Sequence, residues 1–297
     1  MSKVNIIVPG ADFSGVGLGM LRSPYNPFTD AGISILGAWD ADDASTYTVD
    51  GSNNVLTMPS KVGGFTLSPE AGTSVKAVLQ PAGWGGGINP TGSSATAAFQ
   101  FTGGALLASS VYRGAGPTSA TGVSVFALAQ RGVQSAHGVG ASPRPLVMLP
   151  SYPNGSNFQM GYIGCFDASQ DGAQNIAVAA QHTGSLSQGS QASPWATGSK
   201  AILCGQFGAA GPSIKLNGAS AAANAAYFGT NVTSWLLGGA DNTYDSAFTG
   251  LVKLVIVVAG GSLTAPQIQK LEGYLAWRGG IQGQLPAGHP YYADGPY

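Results

Sequence analysis

The feature that most constrains this chain is the run Leu251-Val252-Lys253-Leu254-Val255-Ile256-Val257-Val258. It is apolar but for Lys253 and rich in β-branched side chains, which pack well on a pleated surface and lose χ1 freedom in a helix. A strand apolar on both faces must be covered on both faces, so residues 251–258 are expected as a central strand. The longest apolar stretch, 254–259, is far short of the roughly 20 residues that cross a bilayer.

Shorter runs of the same kind recur. Residues 47–49 and 55–58 flank Asp50-Gly51-Ser52-Asn53-Asn54, a hairpin signature. Further strands are expected at 35–39, 97–101, 123–130, 144–149, 158–163, 176–181, 200–207, 212–216 and 235–238. Turn residues separate them, and Gly and Pro number 46 and 18, enough to punctuate a chain of many short strands. That pattern indicates an antiparallel sandwich or barrel. One helix is expected after the central strand. Thr264 is its N-cap, Pro266 sits in its first turn, Ile268, Leu271 and Leu275 form one apolar stripe, and Gly279 stops it.

Charge narrows the function classes. Charged residues make up 8% of the chain, against roughly 25% in a typical globular domain, and the net charge is −1. The twelve Lys and Arg form no cluster, which argues against nucleic acid and against an anionic membrane surface. A surface this poor in charge suits packing against neighbouring subunits, because little charge has to be desolvated. Cys165 and Cys204 are too few for a disulfide framework or a zinc site, and are expected as reduced, partly buried thiols. His137, His182 and His289 fall in no metal-spaced motif, and His289 is expected to pack in the tail. No Gly-x-Ser-x-Gly elbow supports a serine triad.

Residues 1–32 read as an irregular N-terminal anchoring arm. Its Gly15-x-Gly17-x-Gly19 run lacks the flanking strand and helix of a phosphate-binding fingerprint. The first thirteen residues lack the apolar core of a secretory signal, so synthesis in a host cytoplasm without a signal peptide is expected. Residues 33–284 form the sandwich, including a helix over 264–279, and 285–297 form a Pro-, Gly- and Tyr-rich tail.

Three segments carry a family resemblance. Trp39-Asp40-Ala41-Asp42-Asp43-Ala44-Ser45-Thr46 resembles the opening strand of concanavalin A-like (laminin G-like) jelly-roll domains of phage and bacterial surface proteins. Ile214-Lys215-Leu216-Asn217-Gly218 resembles the family's Asn-Gly hairpin. Residues 248–256 followed by 263–277 resemble its closing strand and helix, and Leu285-Pro286-Ala287-Gly288-His289-Pro290-Tyr291 is similar to the tail of phage structural members. The resemblance implies an all-β, two-sheet antiparallel jelly-roll sandwich with one C-terminal helix and extended N- and C-terminal arms. It also implies a glycan-binding or interaction module. Glucanases of the family use paired Glu residues close together on one strand. Here Glu occurs only at Glu70 and Glu272, neither with a strand partner, so no catalytic residues and no enzyme are expected.

Candidate sites follow. Asp40, Asp42 and Asp43 could offer oxygens to calcium, or could cap a turn; no cofactor is called for. Residues 239–245 lie between two strong strands, where Asp241, Asn242, Tyr244 and Asp245 could hold a sugar or a calcium ion, or form a solvated hairpin loop. Trp84, in a Gly-rich loop, could be a stacking platform for sugar or an interface anchor. Phe13, Tyr25, Phe28, Tyr291, Tyr292 and Tyr297 are expected as the anchoring aromatics of the two arms. The function expected is a virion surface protein (capsid decoration, head spike or tail fibre). Its partners would be other virion proteins, sister subunits and host surface polysaccharide. The alternatives are a free or cell-surface lectin and a polysaccharide-degrading enzyme.

Overall fold

The computed structural model describes residues 25–293 and 295, apart from residue 72 and segments 86–96, 103–109, 117–121, 134–142, 152–158, 167–175, 184–185, 188–190, 209–210, 221–233, 240–246 and 261–262. In chain order the strands are β1 (Ile35–Asp40), β2 (Thr48–Val49), β3 (Val55–Pro59), β4 (Thr66–Pro69), β5 (Val78–Gln80), β6 (Ala98–Phe101), β7 (Tyr112–Ala115), β8 (Val123–Arg131) and β9 (Pro143–Ser151). They continue as β10 (Gln159–Phe166), β11 (Ile176–Thr183), β12 (Leu186–Ser187), β13 (Gln191–Pro194), β14 (Lys200–Gly208), β15 (Gly211–Leu216), β16 (Ala219–Ser220), β17 (Ser234–Leu237) and β18 (Gly250–Ala259). Helix α1 (Ala265–Gly279) follows.

Two antiparallel sheets result, giving the sandwich the sequence implies. The first runs β16-β15-β14-β8-β18-β6-β5, with β1 also paired to β18; the second runs β12-β11-β10-β9-β17-β7-β4-β3-β2, with β13 on β11. The β-branched run is central, as expected: β18 pairs with β8, β6 and β1. The hairpin at Asn217-Gly218 forms with both residues at positive φ, 52° and 80°, as a tight two-residue turn requires.

Side chains alternate between two cores. Val123, Val125, Ala127, Ala129, Leu203, Val255 and Val257 point inward to meet Leu149, Ile163, Trp235 and Leu237 of the second sheet. Phe126, Leu128, Ile202, Cys204, Leu254 and Ile256 point outward and are covered by Ile268, Leu271 and Leu275 of α1. Both cysteines are buried and outside any disulfide, and burial pushes the Cys204 thiol well up, with the nearby Glu272 charge adding to it.

The helix starts as expected, with the Thr264 backbone N–H donating to Gln267 Oε1 at 2.9 Å. Its stop is corrected by one residue: Gly279 is the last helical residue, and Gly280, at φ 64°, takes the left-handed cap. The acidic turn after β1 is spent on pinning this helix. Asp40 accepts two hydrogen bonds from Arg278 Nη2, at 2.7 and 2.6 Å. Asp42 Oδ2 lies 3.1 Å from the same nitrogen and 2.7 Å from Lys253 Nζ. Lys253 reaches it because a bulge between Val252 and Leu254 inserts it as an extra residue, turning a side chain with 0% exposure toward the turn. Burial pushes the Asp40 carboxyl above its usual range, outweighing the pull of Arg278. Asp43 holds the Lys61 ammonium and caps the Ser45 N–H. These carboxylates answer to cations and turn amides of the chain itself, so the calcium reading of the turn is set aside on geometry.

Candidate functional site

The outer face of the first sheet changes character abruptly toward one end. Ile202, Leu128 and Leu254 form a buried apolar row across β14, β8 and β18. One pleat further along, the row reads Lys200, Gln130, Leu251, Gln100 and Val78, each residue paired with the next across β14, β8, β18, β6 and β5. Directly paired residues project to the same side of a sheet, so these side chains stand in one line. None of them is buried, and Gln100 is exposed.

Gln130, Leu251 and Gln100 of this line floor a groove of about 510 Å³. Gln80 and Gly83 form one wall, and Thr197, Gly198, Thr249 and Val133 lie about the other end. Val133 is 75% exposed. The strand ends are tied together beneath the groove: Gly132 N–H donates to Thr249 O at 2.8 Å, and Gly198 N–H to Arg131 O at 2.7 Å. Arg131 itself is buried and donates through Nη1 to Trp195 O at 2.7 Å. Groove volumes of about 300–1,000 Å³ are those of small-molecule sites.

The glutamines are oriented but not saturated. Gln80 Nε2 donates to Gln100 Oε1 at 2.7 Å, and Gln130 Nε2 donates to Gly198 O at 2.8 Å. Gln80 Oε1, Gln130 Oε1 and Gln100 Nε2 carry no hydrogen bond among the described residues. A carboxamide offers two donors and an acceptor, the match for hydroxyl groups that both give and take protons. With Leu251 and Val133 beside them, the groove supplies polar and apolar contacts together. Among the described residues that line it there is no carboxylate.

The sites expected from sequence fare unevenly. Asp241, Asn242, Tyr244 and Asp245 lie outside the described residues, as do Phe13 and Tyr297. Trp84 is corrected. It is 3% exposed, packs in the core beneath α1 and donates its indole N–H to Gly279 O at 3.0 Å, so its ring has no open face for a sugar or a second subunit. Lys200 Nζ covers that ring 4.8 Å from its centroid.

Tyr25 and Tyr291 pack on the chain's own helix: Tyr25 meets Tyr274 edge-on at 6.3 Å, and Tyr291 O accepts the Trp277 indole N–H at 3.2 Å. Phe28 is half-buried under Lys61, while Tyr292 remains exposed. His289 is buried in the tail, 3.3 Å from Glu272. Glu70 pairs with Arg113.

The sequence reading missed Gln80, Gln100 and Gln130. The signal was present in the strands expected at 97–101 and 123–130, where a polar residue takes an outward position at the strand end; the third glutamine lies on β5, a strand not expected.

No family model matches the chain, and no curated protein does. Solved structures do. Domain 4 of AbnA, a GH43 extracellular arabinanase from Geobacillus stearothermophilus in complex with arabinotriose, is similar over 81% of this chain and 99% of its own, at 14% identity and a TM-score of 0.50. Trypanosoma rangeli sialidase in complex with sialic acid is similar over 83% of this chain and 33% of its own, at 12% identity and a TM-score of 0.49. An arabinofuranosidase complexed with arabinofuranosyl-alpha-1,2-xylobiose is similar over 87% of this chain and 60% of its own, at 12% identity and a TM-score of 0.49. The chain thus spans a third of the sialidase and less than two thirds of the arabinofuranosidase.

At these identities the likeness concerns the fold. It corrects one expectation: a domain of a GH43 arabinanase shares this sandwich, so the lack of a paired Glu on one strand does not by itself set the chain apart from enzymes.

Proposed function

We propose that the chain is a carbohydrate-binding sandwich whose glycan site is the glutamine-floored groove at the open end of the first sheet. The observation that carries this is the row Gln130, Leu251, Gln100 with Gln80 beside it, three amides with unused hydrogen-bonding atoms around an apolar side chain. A sugar ring has hydroxyls at its edge and C–H groups on its face, and amides with apolar neighbours answer both. The similarity to domain 4 of an arabinanase solved with arabinotriose supports the reading at the level of the fold.

In the same proposal, the sandwich is displayed on a phage-type particle and meets host surface polysaccharide there. The support is the low charge of the chain together with the closing strand, helix and tail that resemble phage structural members.

A glycan array probed with the purified chain tests the binding. Retention on surface polysaccharides, lost in Gln100→Ala, is the expected result; no retention on any glycan contradicts it. Electron microscopy of intact particles labelled for this chain tests the display, which fails if labelled particles never appear.

A further inference from the structure

We infer that the groove takes an internal run of an uncharged, extended polysaccharide laid across the strands, in preference to a single sugar or an acidic chain. This rests on the glycan-binding reading above and adds the class of ligand.

The length of the row carries the first part. Gln130, Leu251, Gln100 and Gln80, all in the groove lining, sit on four neighbouring strands, β8, β18, β6 and β5. Strands lie about 4.8 Å apart, so the row runs about 14 Å, longer than one sugar ring. Amide, leucine and amide follow one another along it at the strand spacing. A single ring can touch one amide and Leu251. Two or more joined rings are needed to engage Gln130 and Gln100 together, and Gln80 is held against Gln100 at 2.7 Å to extend the polar end. A ligand that fills the row therefore gains contacts with each added unit until the row is covered.

Charge carries the second part. Among the described residues the groove lining holds one ionic group, Arg131, and its guanidinium is buried and bonded to Trp195 O. The cation next along the row, Lys200, is bonded to Gly85 O at 2.7 Å and held over the Trp84 ring. Both cations are committed to the protein. A carboxylated sugar would give up hydration on entering a groove whose cations are already engaged, whereas hydroxyls exchange water for amides at little cost.

The test is calorimetric titration of the full chain with neutral arabino-, malto- and cello-oligosaccharides, from single sugars to hexamers, and with oligogalacturonides of the same lengths. In one neutral series, affinity should rise about tenfold or more from the single sugar to the tetramer and then level off. It should change little between about 0.05 and about 0.5 M salt, since no ion pair forms. Gln100→Ala and Gln130→Ala should each weaken the tetramer about fivefold or more and the single sugar less, with Tm unchanged. A single sugar bound as tightly as the tetramer, or an oligogalacturonide bound more tightly and in a salt-dependent way, overturns this inference and leaves the glycan-binding reading standing. Loss of binding to every sugar tested overturns both.

Discussion

The two ends of one sheet face make the sharpest contrast in this molecule. At the covered end, Phe126, Leu128, Ile256 and Leu254 lie under α1, and the helix is pinned by Arg278 between Asp40 and Asp42. At the open end the same strands present Gln130, Leu251 and Gln100 to a groove. The strands, pairing and twist are shared; what differs is the side chain at one outward position per strand. A strand becomes core or binding surface according to what covers it, and amides are the residues a sheet can leave uncovered while still holding them in register. The contrast predicts that substitutions at the covered end cost stability and those at the open end cost binding.

The largest effect is expected at Arg278. Arg278→Met leaves Asp40 without its partner in a buried site, and breaking a buried pair in this way costs about 3–5 kcal/mol. Urea unfolding measures it; a loss under about 1 kcal/mol would mean that the helix is held by its apolar stripe alone. Gly273→Ala comes next. A Cβ there would stand 2.7 Å from the Tyr291 ring, so the tail must lift or the helix shift, at about 1–3 kcal/mol. Faster proteolysis after Leu285 should accompany the loss.

At the open end, Gln100→Ala and Gln130→Ala should shift stability by no more than about 0.5 kcal/mol, the range of surface substitutions, while reducing glycan retention. A matching loss of stability would erase the contrast between the two ends. The smallest effect belongs to Lys61. Burial pulls the Asp43 carboxyl up, but hydrogen bonds from Lys61 and Ser45 outweigh it and hold it below the usual range. A lowered folded value stabilises above the ordinary Asp range of about 3.9 and is lost as pH falls through the folded value. Lys61→Met should therefore cost at most about 1 kcal/mol at neutral pH, since the pair is partly exposed, and its unfolding curve should converge with the parent's in acid.

How much the sequence disclosed follows from what periodicity can encode. The central strand and the helix were legible because each is specified by neighbours in the chain, a β-branched run and an apolar stripe, whereas the Asn217-Gly218 turn was expected through the family resemblance. Strands β4, β5 and β7 were not, being only three or four residues long with little apolar alternation. The groove was not legible either. Gln100, Gln130 and Leu251 are far apart in the chain and meet only through a register that the bulge at Lys253 helps to set. The acidic turn was read as a local motif, while its partners Lys253 and Arg278 lie more than two hundred positions away. Trp84 misled because a flexible-looking Gly-rich loop suggested exposure, whereas the indole serves the end of α1.

The account stands or falls on the amide groove. The most direct test is titration of the tightest-binding glycan into the double variant Gln100→Ala/Gln130→Ala alongside the parent chain. The heat of binding should disappear while the thermal midpoint stays that of the parent; a double variant that binds the glycan as tightly as the parent would contradict the account.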